Sequence, residues 1–264
     1  MALAGSAIAT FVEDGFLAPV DILSPEEIEF YLGEFERLEA QEGRERCISG
    51  IQDWHFSVEP LWRLATHPRI VDTMRELAGE DLLLGGTRFF VKYPRGDEGE
   101  FFTWHQDATF WGLEPPTAFT CFVALDPCTP ESGCLRVIPG SHHRGLVPHR
   151  RSPEVAGNML RRAQEIPPEH VRDDEAVDVV LEPGQMSVHD ARLFHASGAN
   201  RSDRRRCSFT AVYIPPSVAH GREFVVAGEF EDFEWRRRRV VLVSGSDSYG
   251  HFDAEPMPFP LPGP

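Results

Sequence analysis

His105 and Asp107 stand two residues apart in the stretch Trp104-His105-Gln106-Asp107. On a β-strand such a pair projects to one face. An imidazole nitrogen and a carboxylate oxygen can then converge on one point. That is two-thirds of the 2-His-1-carboxylate arrangement that suits non-haem Fe(II) and leaves coordination positions open. A His-x-Asp triplet by itself also recurs as a surface or structurally bonded pair, so the third ligand has to be sought elsewhere. His195 is the choice. An isolated histidine is as readily a hydrogen-bonded core residue, but two features favour ligation. His195 falls on a later pair of strands, as a metal site built across a barrel requires. Arg206 follows eleven residues on, beyond a turn of small and polar residues. That spacing predicts a next strand returning antiparallel beside His195 and aiming a guanidinium into the same cavity. An arginine fork matches a carboxylate bidentately. Three ligands and a deep arginine describe a site for a dicarboxylate co-substrate: a 2-oxo acid on the metal at one end, Arg206 at the other, one position left for dioxygen. His189 competes for the role of third ligand, but its distance from residues 204–206 fits less well.

The elements that must carry these residues are readable in outline. Residues 11–17 read as a short strand broken by Gly15. Ser24-Pro25-Glu26-Glu27 is a helix start with a capping box, and Ile28, Tyr31, Leu32, Phe35 and Leu38 follow at helical spacing. Residues 43–59 look irregular, with Trp54 and His55 in a packed loop. A second helix is expected from Pro68 to Ala78, with Gly79 as its C-cap. From Leu82 the pattern becomes strand-like: 82–93, 101–107, 119–125, 134–138, 177–181, 186–189 and 207–214, rich in aromatic and β-branched residues and separated by Pro/Gly turns. Helices first and then many short strands argue for an α+β chain dominated by β, with a jelly roll (double-stranded β-helix, cupin-like) flanked by N-terminal helices. Residues 1–264 read as a single domain, 143–176 as a lid insert and 255–264 as a Pro-rich extended tail, of which 256–264 cannot form helix or sheet ladders.

Composition narrows the function classes. With 26 Lys+Arg against 42 Asp+Glu the net charge is 26 − 42 = −16, which disfavours nucleic acid and anionic membrane surfaces as partners. No apolar run reaches the length of a membrane span, and the first residues lack the basic region of a signal peptide. The five cysteines are odd in number and include no Cys-x-x-Cys, so a disulfide framework or structural zinc is not expected and a reducing cytoplasm fits. Within this acidic chain the insert is basic, with Arg144, Arg150, Arg151, Arg161 and Arg162. Those arginines suit either an anionic substrate or a merely solvated loop. The run at 236–239 reads as solvated or ion-paired.

The chain resembles the phytanoyl-CoA dioxygenase (PhyH-like) family of Fe(II)/2-oxoglutarate oxygenases. The resemblance rests on residues 11–17 with the Leu23-Ser24-Pro25-Glu26-Glu27 start, on Trp104-His105-Gln106-Asp107, on Glu131-Ser132-Gly133-Cys134-Leu135 leading to Ile138-Pro139-Gly140-Ser141-His142, and on His195-x-Ser197-x-x-Asn200-x-Ser202 with Arg206. It implies Fe(II) held by His105, Asp107 and His195, and a 2-oxoglutarate far carboxylate bound by Arg206 with help from Ser197. Lys92, on the strand before the ligand strand, is assigned to the same pocket. His142 is expected to buttress its turn. The implied reaction is oxidation of a small molecule, hydroxylation above all, in bacterial specialised metabolism, with 2-oxoglutarate and O₂ going to succinate and CO₂. Asp107 argues against halogenation, because halogenating relatives have a small residue there. Arg136 departs from an aromatic residue common in relatives. Two rivals remain at this stage: a zinc hydrolase or isomerase on a cupin-like barrel, which leaves Arg206 without a partner, and a non-catalytic binding module, against which the intact triad speaks. The substrate and the oligomeric state stay open.

Overall fold

The structure is a computed structural model that describes residues 3–151, 156–160, 164–220 and 239–263. Five helices precede most of the strands: α1 (Gly5–Asp14), α2 (Pro25–Glu42), α3 (Arg44–Ser49), α4 (Glu59–Ala65) and α5 (Pro68–Ala78), with α6 (Ala108–Trp111) inside the barrel region. The strands in chain order are β1 (Phe16–Asp21), β2 (Leu82–Lys92), β3 (Phe102–His105), β4 (Leu113–Glu114), β5 (Phe119–Ala124), β6 (Leu135–Val137), β7 (Arg150–Arg151), β8 (Gln164–Glu165), β9 (Val177–Val179), β10 (Gln185–Asp190), β11 (His195–Ser197), β12 (Arg206–Ile214), β13 (Ala219–His220), β14 (Val240–Ser244) and β15 (Ala254–Glu255).

Two sheets make the jelly roll. The larger has the order β1-β10-β5-β12-β2-β14-β15 and the smaller β3-β11-β6-β9. Alternation along β2 and β12 decides what each face sees. Phe89 packs on Phe35 of α2 at 5.0 Å and on Phe209 at 5.3 Å, so odd-numbered residues here face the helices. Arg88, Phe90 and Lys92 with Arg206, Ser208 and Thr210 therefore face the barrel interior. The N-terminal helices cover the outer face of the larger sheet, and the principal hydrophobic cluster lies between them.

Helix α2 starts as read: Glu27 N donates to Ser24 Oγ at 3.2 Å and Ser24 N to Glu27 Oε2 at 2.8 Å. α5 spans the expected residues. Three readings are corrected. Residues 11–14 finish a helix, not a strand, and Gly15 ends it in the left-handed region at φ 80°, where a residue without Cβ is favoured. Residues 43–59 hold α3 and the start of α4 rather than an irregular loop; the segment is too short for its period to stand out. The strand β14 was missed, because the basic run 236–239 directly before it reads as solvated surface; it pairs antiparallel with β2. Of the segment read as a tail, Glu255 belongs to β15, which pairs parallel with β14, and Pro260 is docked: Trp62 Nε1 donates to its carbonyl at 3.1 Å. Arg161, Arg162, Arg236 to Arg238, and Pro264 lie outside the described residues.

Candidate metal centre

β3 and β11 are antiparallel neighbours in which His105 and His195 are direct partners. Their rings stand 4.0 Å apart. Asp107 joins them by a route other than strand alternation. β3 ends at His105, and Asp107 is already helical (φ −58°, ψ −37°) as the N-cap residue of α6. Its Oδ1 lies 3.6 Å from His105 Nε2 and 3.5 Å from His195 Nε2. Candidate ligand atoms of these three residues all fall within 4.8 Å of one another.

The backbone fixes which nitrogen each imidazole offers. His105 Nδ1 lies 2.7 Å from the Thr103 carbonyl and His195 Nδ1 2.9 Å from the Leu193 carbonyl. A carbonyl only accepts, so Nδ1 carries the proton and the Nε2 lone pair faces Asp107. Burial, followed by the neighbouring His195, pushes His105 down to about 4. For His195 burial is outweighed by Asp107, which raises it. Burial would raise Asp107, but His195 first and then the His105 and His189 rings around it hold it well below the usual carboxylate range. Thr120 Oγ1 donates to Asp107 Oδ2 at 2.9 Å. Two neutral imidazole nitrogens and one carboxylate oxygen on one side of a cavity are a donor set that fits a divalent first-row metal with open positions.

Arg206 is a direct partner of Lys92 across β12 and β2. The expectation that its strand returns beside His195 is overturned: β12 lies in the larger sheet and β11 in the smaller. A jelly roll sends successive strands to opposite sheets, so Arg206 faces the cavity from the opposite wall. Its Nη1 donates to Ser208 Oγ at 2.8 Å and Nη2 to the Gly133 carbonyl at 3.4 Å, while Nε has no hydrogen-bond partner and the residue is only 2% exposed. Asn200 shapes the turn that delivers it, donating to the Lys92 and Arg204 carbonyls at 2.8 and 2.7 Å. Arg205 turns outward to Asp126 at 3.0 Å.

Lys92 is fully buried, and its Nζ donates to Ser197 Oγ at 2.6 Å, Gly198 O at 2.5 Å and Gly133 O at 3.2 Å. All three ammonium protons are thereby engaged. Burial, then Arg206, depresses its pKa. Ser197 is thus brought to Lys92, and Ser208, which sequence reasoning missed, stands at Arg206. Polar residues at every second position of 206–210, Arg206, Ser208 and Thr210, were the available signal. Phe102 stacks on His105 at 5.8 Å and Phe110 meets it edge-on at 6.0 Å, giving the centre an aromatic wall.

Gln106, the unassigned letter between the ligands, is fully buried and binds the start of the insert. It donates to the Gly145 and Arg192 carbonyls at 2.8 and 2.6 Å and accepts from Val147 N at 3.0 Å. Further along the insert, Met159 N donates to Phe101 O at 2.8 Å and Ile166 N to Trp104 O at 2.7 Å. Arg144 donates to His170 O at 2.8 Å and Arg150 pairs with Glu165 at 2.8 Å. Arg136 faces outward, between Asp173 and Asp178 at 3.2 and 3.3 Å. His142 buttresses its turn through Val12 O at 3.2 Å. Among the described residues no helix is long and apolar enough to cross a membrane.

The family model of phytanoyl-CoA dioxygenase (PhyH) matches residues 11–208. The chain is 27% identical to the peroxisomal phytanoyl-CoA dioxygenase of Rattus norvegicus over 227 residues, 77% of this chain and 66%, just under two thirds, of that protein. Among solved structures, the non-haem monooxygenase ThoJ in its apo form is 32% identical, with a TM-score of 0.72 over 95% of this chain and 87% of that one. The epimerase SnoN, solved with Fe³⁺, α-ketoglutarate and nogalamycin RO, is 28% identical, with a TM-score of 0.66 over 87% of this chain and 92% of that one. With the barrel, the centre and a model match across most of its length in agreement, the chain belongs to the phytanoyl-CoA dioxygenase (PhyH) family, a family of Fe(II)/2-oxoglutarate-dependent dioxygenases.

Proposed function

We propose that the protein oxidises a C–H bond of a small molecule, hydroxylation being the leading outcome, with His105, Asp107 and His195 as iron ligands and Arg206 as the anchor of the 2-oxoglutarate far carboxylate. The observation that carries this reading is the pairing of a three-residue donor set within 4.8 Å with a guanidinium buried in the same barrel. When bound, Fe(II) with 2-oxoglutarate and O₂ supplies the oxidising power, the co-substrate leaving as succinate and CO₂. The chain does the rest. Carbonyls of Thr103 and Leu193 keep the Nε2 lone pairs of His105 and His195 turned to the centre. Arg206 orients the co-substrate by its far end, with Ser208 and Gly133 O steadying the guanidinium. Lys92 ties Ser197, Gly198 and Gly133 together as the wall behind it. Phe102 and Phe110 keep water from the ligand face.

Asp107 supports oxygen insertion over halogenation. The nogalamycin complex of SnoN supports a product of specialised metabolism as the substrate class. Residues 1–264 act as one catalytic domain, with 143–176 as a lid insert, of which Met159 and Ile166 bond to the Phe101 and Trp104 carbonyls. An anionic substrate is the class that the arginines of the insert suit; of these, Arg144 donates to the His170 carbonyl and Arg150 pairs with Glu165.

The test is an anaerobic titration of the protein with Fe(II) and then 2-oxoglutarate, watched for the visible charge-transfer band of a metal-chelated 2-oxo acid. The band should appear in the wild type and vanish in His195→Ala. A wild type that binds zinc tightly and gives no band sinks the proposal in favour of the zinc or binding-module readings.

A further inference from the structure

The two carboxylate oxygens of Asp107 have different surroundings. Oδ1 faces the two ligand histidines, 3.6 Å from His105 Nε2 and 3.5 Å from His195 Nε2. Oδ2 is turned to the larger sheet, where Thr120 Oγ1 donates at 2.9 Å and His189 Nε2 stands at 3.5 Å. Thr120 and His189 are direct cross-strand partners on β5 and β10. His189 is 2% exposed, its ring lies 4.7 Å from that of His195, and neither ring nitrogen has a hydrogen-bond partner within normal range. A fully buried imidazole of this kind is costly unless it has work at the nearest polar group, and that group is Asp107 Oδ2.

We propose that Thr120 and His189 are a positioning pair that holds Asp107 Oδ2 from two adjacent strands, so that the carboxylate meets the metal through Oδ1 alone. His189 is then not a ligand. An aspartate can bind a metal through one oxygen or both, and the second mode takes up a coordination position. An oxygen that already accepts from Thr120 and faces the His189 ring is withheld from that mode. The 2-oxo acid and dioxygen together need the positions so kept open. The inference rests on the reading of the site under Proposed function and names residues that reading does not use. At 3.5 Å the His189 contact is long for a hydrogen bond, whereas Thr120 at 2.9 Å is well within range. Thr120 is therefore the stronger member of the pair.

The experiment measures Fe(II) affinity by competition with a colorimetric chelator, and 2-oxoglutarate affinity at saturating Fe(II) by the charge-transfer band. It uses wild type, Thr120→Val, His189→Leu, His189→Gln and His195→Ala, all anaerobic. Loss of an outer partner of a metal ligand weakens metal affinity by about 10–100-fold. Thr120→Val, nearly isosteric, should fall in that range. His189→Leu should fall at its lower end and also bind 2-oxoglutarate less tightly. His189→Gln, whose amide can donate, should recover most of the loss. The band should survive in all three and vanish only in His195→Ala. Loss of the band in His189→Leu, matching His195→Ala, makes His189 a ligand and overturns the proposal. So does wild-type behaviour of both His189→Leu and Thr120→Val, and so does an equal loss in His189→Gln and His189→Leu, which would assign the effect to ring shape. Should His189→Leu fail to fold, Thr120→Val puts the same oxygen to the test. A wild type without a band fails the family chemistry itself, an outcome distinct from all of these.

Discussion

Arg206 offers the most direct quantitative test of the site. Its guanidinium carries five N–H donors, of which Nη1 serves Ser208 Oγ at 2.8 Å, Nη2 reaches Gly133 O at 3.4 Å, and Nε serves no protein acceptor. Three donors thus remain, and a carboxylate's two oxygens can take two of them. Charge-assisted hydrogen bonds contribute about 1.5–3 kcal/mol each, so two give about 3–6 kcal/mol, or about 10²–10⁴ in affinity. Lys92 cannot take over, because its three protons are engaged by Ser197, Gly198 and Gly133. The perturbation is Arg206→Met, which keeps bulk and removes the charge. The assay is calorimetric titration of the Ni(II)-loaded protein with 2-oxoglutarate and with 2-oxovalerate, the same chain ending in a methyl group. The wild type should prefer 2-oxoglutarate by about 10²–10⁴. Arg206→Met should collapse that preference to within about 10-fold while leaving 2-oxovalerate affinity nearly unchanged, since only the far carboxylate has lost its partner. A variant that still prefers 2-oxoglutarate by about 100-fold or more refutes the reasoning and moves the anchor elsewhere.

Three further outcomes follow from buried contacts. Gln106→Leu leaves the Gly145 and Arg192 carbonyls and Val147 N without their partner; at about 1–3 kcal/mol per buried unsatisfied group, urea melts should shift markedly and limited proteolysis should cut first within 143–176. Gly15→Ala places a Cβ against His142 Nδ1 at a backbone φ of 80°; strain of this kind costs about 1–3 kcal/mol, and an unchanged melting curve would contradict the packing of α1 on the barrel. His55 is fully buried on Thr87 Oγ1 at 2.8 Å, and burial, then Arg239, pushes it down to about 3 from 6.5. Its folded value lies below the unfolded one, so the unfolded chain takes the proton first as pH falls. The associated stability is complete above about pH 6.5 and declines by about 1.4 kcal/mol per pH unit towards pH 3, a slope that denaturant melts should find reduced in His55→Leu.

The jelly roll and the candidate ligand set that it gathers were legible because both are written in residue types. Strand segments alternate towards a sheltered interior, and His105, Asp107, His195 and Arg206 are chemically distinctive at their spacing. What the sequence concealed was how those residues meet. Strand alternation was the stated reason for His105 and Asp107 to converge, yet Asp107 already belongs to the turn of α6. The pair converges because the chain bends there, and a bend after a four-residue strand leaves no period to read. Arg206 was expected beside His195, yet it comes from the opposite sheet, since local spacing cannot tell a hairpin from a crossing between sheets. The partners that steady the site were hidden for a related reason. Ser208, Thr120 and the Gln106 contacts are common polar residues whose meaning arises only when the far strand is in place.

This division has a physical basis that bears on how the site works. Each ligand histidine is oriented by the carbonyl two residues before it, Thr103 for His105 and Leu193 for His195, so the smaller sheet presents both imidazoles with no help from its partner. Much of what answers them comes from the larger sheet: Thr120 and His189 at Asp107 Oδ2, Arg206 and Ser208 at the far end. The centre is therefore assembled only when the two sheets face each other at the correct separation. Substitutions in the helices that brace the larger sheet, such as those disturbing Phe35 against Phe89 at 5.0 Å, should act on co-substrate affinity before they act on the orientation of the two imidazoles, because only the first depends on the opposite wall.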